Sequence, residues 1–219
     1  MRIVAVIPTR KGSQRVKSKN TRPFGNTNLL QLKIDVLKRV KGIDQIIVNT
    51  DCDISKKIAL NNALEVHKRD PYFASSDVSN DIHWRHIAET TDADVILMAQ
   101  TTSPMVKIKT FEKAINIFLE SHNDSINSVS REKLFLWLDG EPINYDINKT
   151  PKSQDLPNIV SLNFAITLIK RDVMIDRGNV IGYNPHFLTL EREESLDVDE
   201  QIDFDFAEFL YIKNGFEWY

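Results

Sequence analysis

Three short apolar runs, each followed by a segment with helical spacing, constrain this chain more than any other feature. Residues 2–7 form a β-branched run that halts at Pro8, residues 45–50 read Q-I-I-V-N-T, and residues 94–100 read D-V-I-L-M-A-Q. Short runs without polar alternation are the pattern of strands buried on both faces. From Leu29, apolar positions Leu30, Ile34 and Leu37 follow helical spacing, with Leu29, Val36 and Val40 widening the face until Gly42 stops it. Residues 53–63 predict a second helix with Asp53 as N-cap. Residues 107–120 predict a third, with Ile108, Phe111, Ile115, Phe118 and Leu119 on one side. The alternation predicts an α/β fold: a mostly parallel sheet with helices on both faces.

The pattern breaks near residue 131. Residues 134–145 predict a small β-hairpin around Asp139-Gly140, a favourable turn pair. A polar stretch with Pro151 and Pro157 follows, then a strand over 159–169. Residues 131–158 are read as an excursion from the core, so 1–219 is expected to form a single domain. Residues 202–212 predict a closing helix with Ile202, Phe206, Phe209 and Leu210 facing inward.

At 219 residues the chain can bury a substantial core, and its net charge of -3 gives no basic excess for nucleic acid. Cys52 is the only cysteine, which excludes an internal disulfide and suits a reducing compartment. The first apolar run is too short for a signal-peptide core, and no stretch approaches the roughly 20 apolar residues of a bilayer span. A cytoplasmic location is expected.

Ligands of open parallel sheets bind beyond the carboxyl ends of the strands. The segment leaving the first strand, P-T-R-K-G-S-Q-R-V-K-S-K-N over residues 8–20, concentrates Arg10, Lys11, Arg15, Lys17 and Lys19 with Gly12, Ser13 and Ser18. Loop N–H groups, hydroxyls and cationic side chains together suit a polyphosphate, and Asn20 suits a base or ribose. Neither G-x-x-x-x-G-K-[ST] nor G-x-G-x-x-G is present, and on the residues alone a solvated basic loop fits equally. Late in the chain, Asp197 and Asp199 are one residue apart, so in an extended segment both project to the same side, within reach of one hard cation. An acidic lead into a helix is the competing reading. Asp203 and Asp205 are expected on the first turn of the closing helix. His83 and His86 share a helical face at i,i+3 but are read as surface histidines, not a zinc site. No G-x-S-x-G nucleophile motif occurs.

The run at 8–20 closely resembles the signature I-P-A-R-G-G-S-K-R-I-P-x-K-N of the CMP-sialic acid synthetase (acylneuraminate cytidylyltransferase) family. Arg10, Gly12, Ser13, Arg15, Lys19 and Asn20 stand at matching positions, while Lys11 replaces a glycine and Lys17 a proline. The resemblance continues through V-N-T-D at 48–51, the stretch from Arg69-Asp70-Pro71 to Asp77, Q-T-T-S-P at 100–104, S-L-D-V-D at 195–199, and Ala207-Glu208. Ordered matches over nearly the whole chain are far more specific than any one of them.

The resemblance implies direct transfer of CMP from CTP to an acidic sugar, a nonulosonic acid such as sialic or legionaminic acid, with release of pyrophosphate. Arg10, Lys19 and Mg²⁺ would hold the triphosphate, and Asp197 and Asp199 would hold the metal, Asp199 counting among the catalytic residues. Gly12, Ser13, Arg15, Asn20 and Arg69 would contact substrate, and Gln100 would read the acceptor. For Arg69, an ordinary surface arginine is the alternative. Two departures fall in the acceptor half: Phe164 stands where the family carries the glycine of N-G-A-I-Y-I, and Met105-Val106 replaces Leu-Arg. A different acceptor (a sugar phosphate or phosphonate) and an inactive nucleotide-binding protein are the competing functions. The resemblance also implies a homodimer, with residues 131–158 as the arm and Leu134, Phe135, Leu136, Trp137 and Leu138 as its apolar run. No membrane or nucleic-acid partner is expected.

Overall fold

The structure is a computed structural model that describes residues 1–12, 15–75 and 77–215. In chain order the main elements are β1 (Ile3–Thr9), α1 (Leu29–Leu37), β2 (Gln45–Thr50), α2 (Asp53–Asn61), β3 (Glu65–Lys68), α3 (Pro71–Ala74), α4 (Asn80–Thr90), β4 (Val95–Met98) and α5 (Ile108–Glu120). They continue with β5 (Ser125–Glu132), β6 (Trp137–Leu138), β7 (Glu141–Pro142), β8 (Ile159–Lys170), α6 (Arg171–Arg177), β9 (Pro185–Thr189) and α7 (Gln201–Lys213).

Seven strands form one sheet in the order β3-β2-β1-β4-β8-β5-β9. Pairing is parallel except along β8, which runs antiparallel to both β4 and β5. The α/β expectation therefore holds. Residues of β1 alternate between two cores: Ile3, Ala5 and Ile7 pack with α1, α5 and α7, while Val4 and Val6 pack with α4 and α6. That two-sided burial is why the strand carries no polar alternation. From β1 the chain steps outward to β2 on one side and to β4 on the other. The crevice beyond the carboxyl ends of β1 and β4 is thus the topological switch point, where open α/β sheets bind ligands.

Several expectations are corrected. Helix α1 stops at Leu37, not Gly42: the Lys38 N–H still reaches the Ile34 carbonyl, but those of Arg39 and Val40 bond carbonyls three residues back. Gly42 instead turns the chain with φ +90° close against Ile115. Cys52, not Asp53, occupies the N-cap of α2, and Asp53 is its first-turn acid. Leu119 is exposed while Ala114 joins the buried face of α5. In α7 the buried residues are Phe204, Ala207 and Tyr211, while Ile202, Phe206 and Phe209 lie outward. Both stripes are apolar at helical spacing, so periodicity could not choose between them. Phe24 chooses: its ring packs edge-on to Phe204 at 5.4 Å and stacks on Tyr211 at 5.3 Å.

The spacing does not predict strands β3, β5 and β9 or helices α3, α4 and α6 as elements. Because β5 pairs with β8 through Glu132↔Ile159, the excursion begins two residues later than the break in pattern suggested. Its hairpin turns at Asp139 (φ 50°) and Gly140 (φ 86°), the two positive φ values of a type I′ turn. Register slips between Asn127 and Val129, bulging β8 around Phe164, whose φ is +54°. A bulky side chain in that region costs roughly 1–2 kcal/mol, which is why a glycine there would be unremarkable and a phenylalanine is not.

Candidate active site

A cleft of about 590 Å³ opens at the switch point. Its floor comes from the ends of β1 and β4 (Pro8, Thr9, Met98, Gln100), one wall from Arg10, Arg15, Lys19 and Asn20, and the other from Arg69, Phe73, His83 and Trp84. Arg10, Arg15, Lys19, Asn20, Arg69 and Gln100, scattered over ninety positions of sequence, therefore meet in one concavity. Gly12 lines a smaller neighbouring cavity with Arg10 and Lys11, and Ser13 lies outside the described residues.

Local structure explains how the basic loop is held. Val16 plugs it into the core, the Lys11 N–H donates to the Asp51 carboxylate at 2.7 Å, and the Leu30 N–H donates to the Asn20 carbonyl. The Asn20 side chain is buried, and its Oδ1 accepts from the Thr101 hydroxyl at 2.8 Å, so its remaining offer to a ligand is an amide N–H. Lys33 is a buried lysine at the back of this assembly. Its Nζ donates to the Ser103 carbonyl at 2.8 Å, fixing the loop after β4, and burial pushes its pKa down to about 7.

The acidic segment crosses the mouth of the cleft. Val198 is buried while the residues beside it are not, so Asp197 and Asp199 flank it on the open side. The Val198 N–H donates to the Thr102 carbonyl at 2.7 Å, and its own carbonyl accepts from Lys19 Nζ. Asp199 Oδ1 accepts from Arg15 at 2.8 Å and lies 4.0 Å from Lys19 Nζ. Asp197 opens onto solvent, yet the thinned water shell of the concave surroundings raises its proton affinity; Asp199 adds to this, and a Thr102 hydrogen bond and Lys19 oppose it. Asp203 adjoins this pair but has a different task. With Glu200 it forms the capping box of α7, accepting from the N–H groups of Glu200 at 2.7 Å and Asp199 at 3.1 Å. Asp205 falls just past the first turn, accepting from Gln201.

Arg69 is no ordinary surface residue. It is 4% exposed, its Nε donates to Asn49 Oδ1 at 2.8 Å, and desolvation lowers its pKa to about 10, leaving it cationic at neutral pH. His83 also departs from the surface reading. It lines the cleft, and burial, followed by Arg69, His86 and Arg10, depresses it to about 4, so it is neutral at pH 7. His86 stacks on Phe73 with ring centroids 3.8 Å apart. Among the described residues, Thr9 Oγ1 and His83 Nδ1 are buried side-chain atoms without a hydrogen-bond partner. Leaving such groups unpaired costs about 1–3 kcal/mol each, and both belong to residues lining this cleft. Sequence reasoning gave no role to Thr9 and Thr101, although both fall in the resembling runs, and missed Trp84. For the second wall the available signals were the resembling stretch from Arg69 to Asp77 and the i,i+3 spacing of His83 and His86.

Four cationic side chains share one cleft and repel one another; burial lowers the pKa of Lys19, Asp199 and Asp197 oppose that, and Arg15 and Arg10 add a smaller lowering. An anion of several charges relieves that repulsion, and the carboxylates at the mouth supply oxygens for a hard cation. The cytidylyltransferase family matches residues 4–210. The chain belongs to the cytidylyltransferase family. Among this enzyme's relatives, the flagellin modification protein B of Campylobacter coli is 25% identical, covering 95% of this chain and 94% of that protein. The CMP-N,N'-diacetyllegionaminic acid synthase of Legionella pneumophila is 29% identical, covering 96% of each. The zebrafish (Danio rerio) N-acylneuraminate cytidylyltransferase A is 26% identical over 98% of this chain, which spans only 52% of that protein. A solved CMP:2-keto-3-deoxy-manno-octonic acid synthetase, complexed with CTP, shares the fold with a TM-score of 0.73 at 14% identity, covering 98% of this chain and 100% of that one.

Proposed function

We propose that this cytidylyltransferase joins CMP from CTP to a nonulosonic acid, a carboxylated sugar of the sialic or legionaminic type, and releases pyrophosphate. The observation that carries this reading is the convergence of Arg10, Arg15, Lys19 and Arg69 on a cleft floored by Gln100 at the switch point of the sheet. Relatives whose names specify N-acylneuraminate or diacetyllegionaminic acid match over nearly the whole chain, which favours an acidic nine-carbon acceptor.

In the proposed reaction an acceptor hydroxyl attacks the α-phosphorus of CTP. The new O–P bond forms as the bond to pyrophosphate breaks, and the hydroxyl proton is lost to solvent or a carboxylate at the mouth. Arg10, Arg15 and Lys19 hold the phosphates and take up the charge developing on the leaving pyrophosphate. The neutral His83 and the Thr9 hydroxyl give uncharged hydrogen bonds on the floor and far wall. Asp197 and Asp199 fit a magnesium ion: two carboxylates on one side of an extended segment, with Asp197 raised by poor solvation that a cation would relieve. Such an ion would screen the phosphate charges, and Asp199 would hold it beside Arg15 and Lys19. Among the described residues, no group of three or more His, Cys, Asp or Glu gathers as an all-protein cation cage. Among the described residues, no helix is long and apolar enough to cross a membrane. We place the enzyme in the cytoplasm, where CTP is available, and as a homodimer paired through the exposed arm.

The deciding measurement is pyrophosphate release with CTP, Mg²⁺ and a panel of nonulosonic acids, sugar phosphates and phosphonates. Turnover is expected with a nonulosonic acid and with CTP ahead of ATP, GTP and UTP. Comparable kcat/KM with a purine nucleotide, or turnover confined to phosphorylated acceptors, would overturn the assignment.

A further inference from the structure

Lys33 stands where the fold asks for an apolar residue. Helix α1 reads L-L-Q-L-K-I-D-V-L; its other polar residues, Gln31 and Asp35, take the half-open side, while Lys33 is 1% exposed on the buried face. Burial pushes its pKa down to about 7, and no charged neighbour contributes. Among the described residues its Nζ donates to one oxygen, the Ser103 carbonyl at 2.8 Å, and stands 5.2 Å from the centre of the Phe111 ring. A buried amine with more donors than acceptors is poorly served by a core that an apolar side chain of similar length would fill at less cost. A residue that breaks the local rule without benefit to the fold points to the site nearby.

The Ser103 carbonyl lies in the turn that leads from β4 towards α5, and the three residues ahead of it, Gln100, Thr101 and Thr102, all line the cleft. The Thr101 hydroxyl donates to Asn20 Oδ1 at 2.8 Å. The Thr102 carbonyl accepts from the Val198 N–H at 2.7 Å, and the Thr102 hydroxyl donates to Asp197. The carbonyl that Lys33 holds is therefore next in the chain to the carbonyl that holds the 197–199 segment. Pro104 follows at once and has no N–H with which to pin the turn from its far side. Lys19 grips the same segment from the opposite edge, through the Val198 carbonyl. The charges acting on Asp197 are those of Asp199, Lys19 and Asp203, so the influence of Lys33 runs through the backbone and not through its field.

Resting on the transferase reading above, we infer that Lys33 is a positioning residue for the acidic segment: from within the core it holds the Thr102–Ser103 turn, and through that turn it keeps Asp197 and Asp199 at the mouth of the cleft, where the cation of the nucleotide would meet them. Groups that orient a metal's ligands from behind govern its affinity although they never touch it.

The test uses Lys33→Met and Lys33→Leu in the full chain, which keep apolar bulk and lose the donor, with Val36→Ala as a loss of buried volume on the same helix. Hydrogen exchange at the Val198 amide reads the tether without substrate or metal. In both Lys33 variants that amide is expected to exchange about tenfold faster, the effect of one lost hydrogen bond on a local opening. The amides of β1 should keep their protection and the melting temperature should stay equal or rise, because a buried amine has gone. The Mg²⁺ needed for half-maximal rate should rise about tenfold or more, with CTP binding in the absence of metal unchanged. Val36→Ala should lower the melting temperature and alter neither the exchange nor the Mg²⁺ dependence. Unchanged Val198 exchange in the Lys33 variants would overturn the inference, and a fall in melting temperature beside it would make Lys33 a core prop. The same exchange and Mg²⁺ shifts in Val36→Ala would also overturn it, by showing that any softening of α1 suffices. So would faster Val198 exchange with wild-type Mg²⁺ dependence, which would leave the tether without consequence for the cation. No wild-type turnover with any acidic sugar sinks the transferase reading and leaves this inference to be decided by the Val198 exchange.

Discussion

Asp199 and Asp203 are four positions apart, both acidic, and doing different work. Asp199 faces Arg15 and Lys19 across the mouth of the cleft. Asp203 accepts backbone N–H groups at the start of α7. Asp199→Asn removes a charged oxygen from the proposed metal site and is expected to cut kcat by at least about tenfold, the low end even for changes around a metal's ligands, while raising the Mg²⁺ needed for half-maximal rate. Asp203→Asn keeps an accepting Oδ1 and should leave turnover near wild type, with a melting temperature lower by a few degrees at most. Equal losses of activity in the two variants would show the division of this segment to be wrong. At this scale the sequence was informative about type and spacing, since a D-x-D pair is visible by eye. It could not show that Arg69 is buried or that His83 is an uncharged cleft residue, because burial belongs to the neighbours and not to the residue.

The loop between β1 and α1 acts as an element although it has little regular structure. Val16 and Asn20 tie it to the core, and Lys19 spans from it to the Val198 carbonyl. Its two most informative cations therefore differ in expected behaviour. Arg10→Ala should lower kcat/KM for CTP about 10–100-fold, the worth of one charge-assisted hydrogen bond, without changing the Mg²⁺ dependence. Lys19→Ala should cause a similar loss and also shift the Mg²⁺ dependence, because the 197–199 segment loses its tether. Wild-type kinetics in both variants would remove the loop from the triphosphate site. Elements with a clear local pattern, β2 with its unbroken apolar run and α5 with its one-sided face, were legible from the sequence. Helix α7 was not, since its two apolar stripes are equivalent in sequence and only contact with Phe24 distinguishes them.

For the whole molecule, the conspicuous feature is apolar surface with no cover. On the arm, Leu134, Phe135, Trp137, Leu138, Ile143 and Ile147 are all exposed. The arm is nonetheless ordered within itself: buried Asn144 bonds the Leu136 N–H and the Leu134 carbonyl, and Tyr145 packs edge-on to Phe135 and Trp137. A shaped surface of this kind suits a second copy related by two-fold symmetry. Light scattering at micromolar concentration is expected to give twice the chain mass, and Trp137→Asp is expected to halve it. A stable monomer would rule the assembly out, and a dimer indifferent to Trp137→Asp would place its interface elsewhere.

The pieces legible without coordinates are those whose signal is local: buried strands at 45–50 and 94–100, the Asp139-Gly140 turn, a basic loop after the first strand, and a pair of late carboxylates. Each follows from side-chain period, turn chemistry or charge within a few residues. Long-range packing set the remainder. It inserted β8 antiparallel between β4 and β5, closed the second wall of the cleft with α4, turned Phe204 inward and Phe206 outward, and set Phe164 beside Trp84. Those outcomes depend on which distant surfaces compete for the same contact, and that competition has no period along the chain.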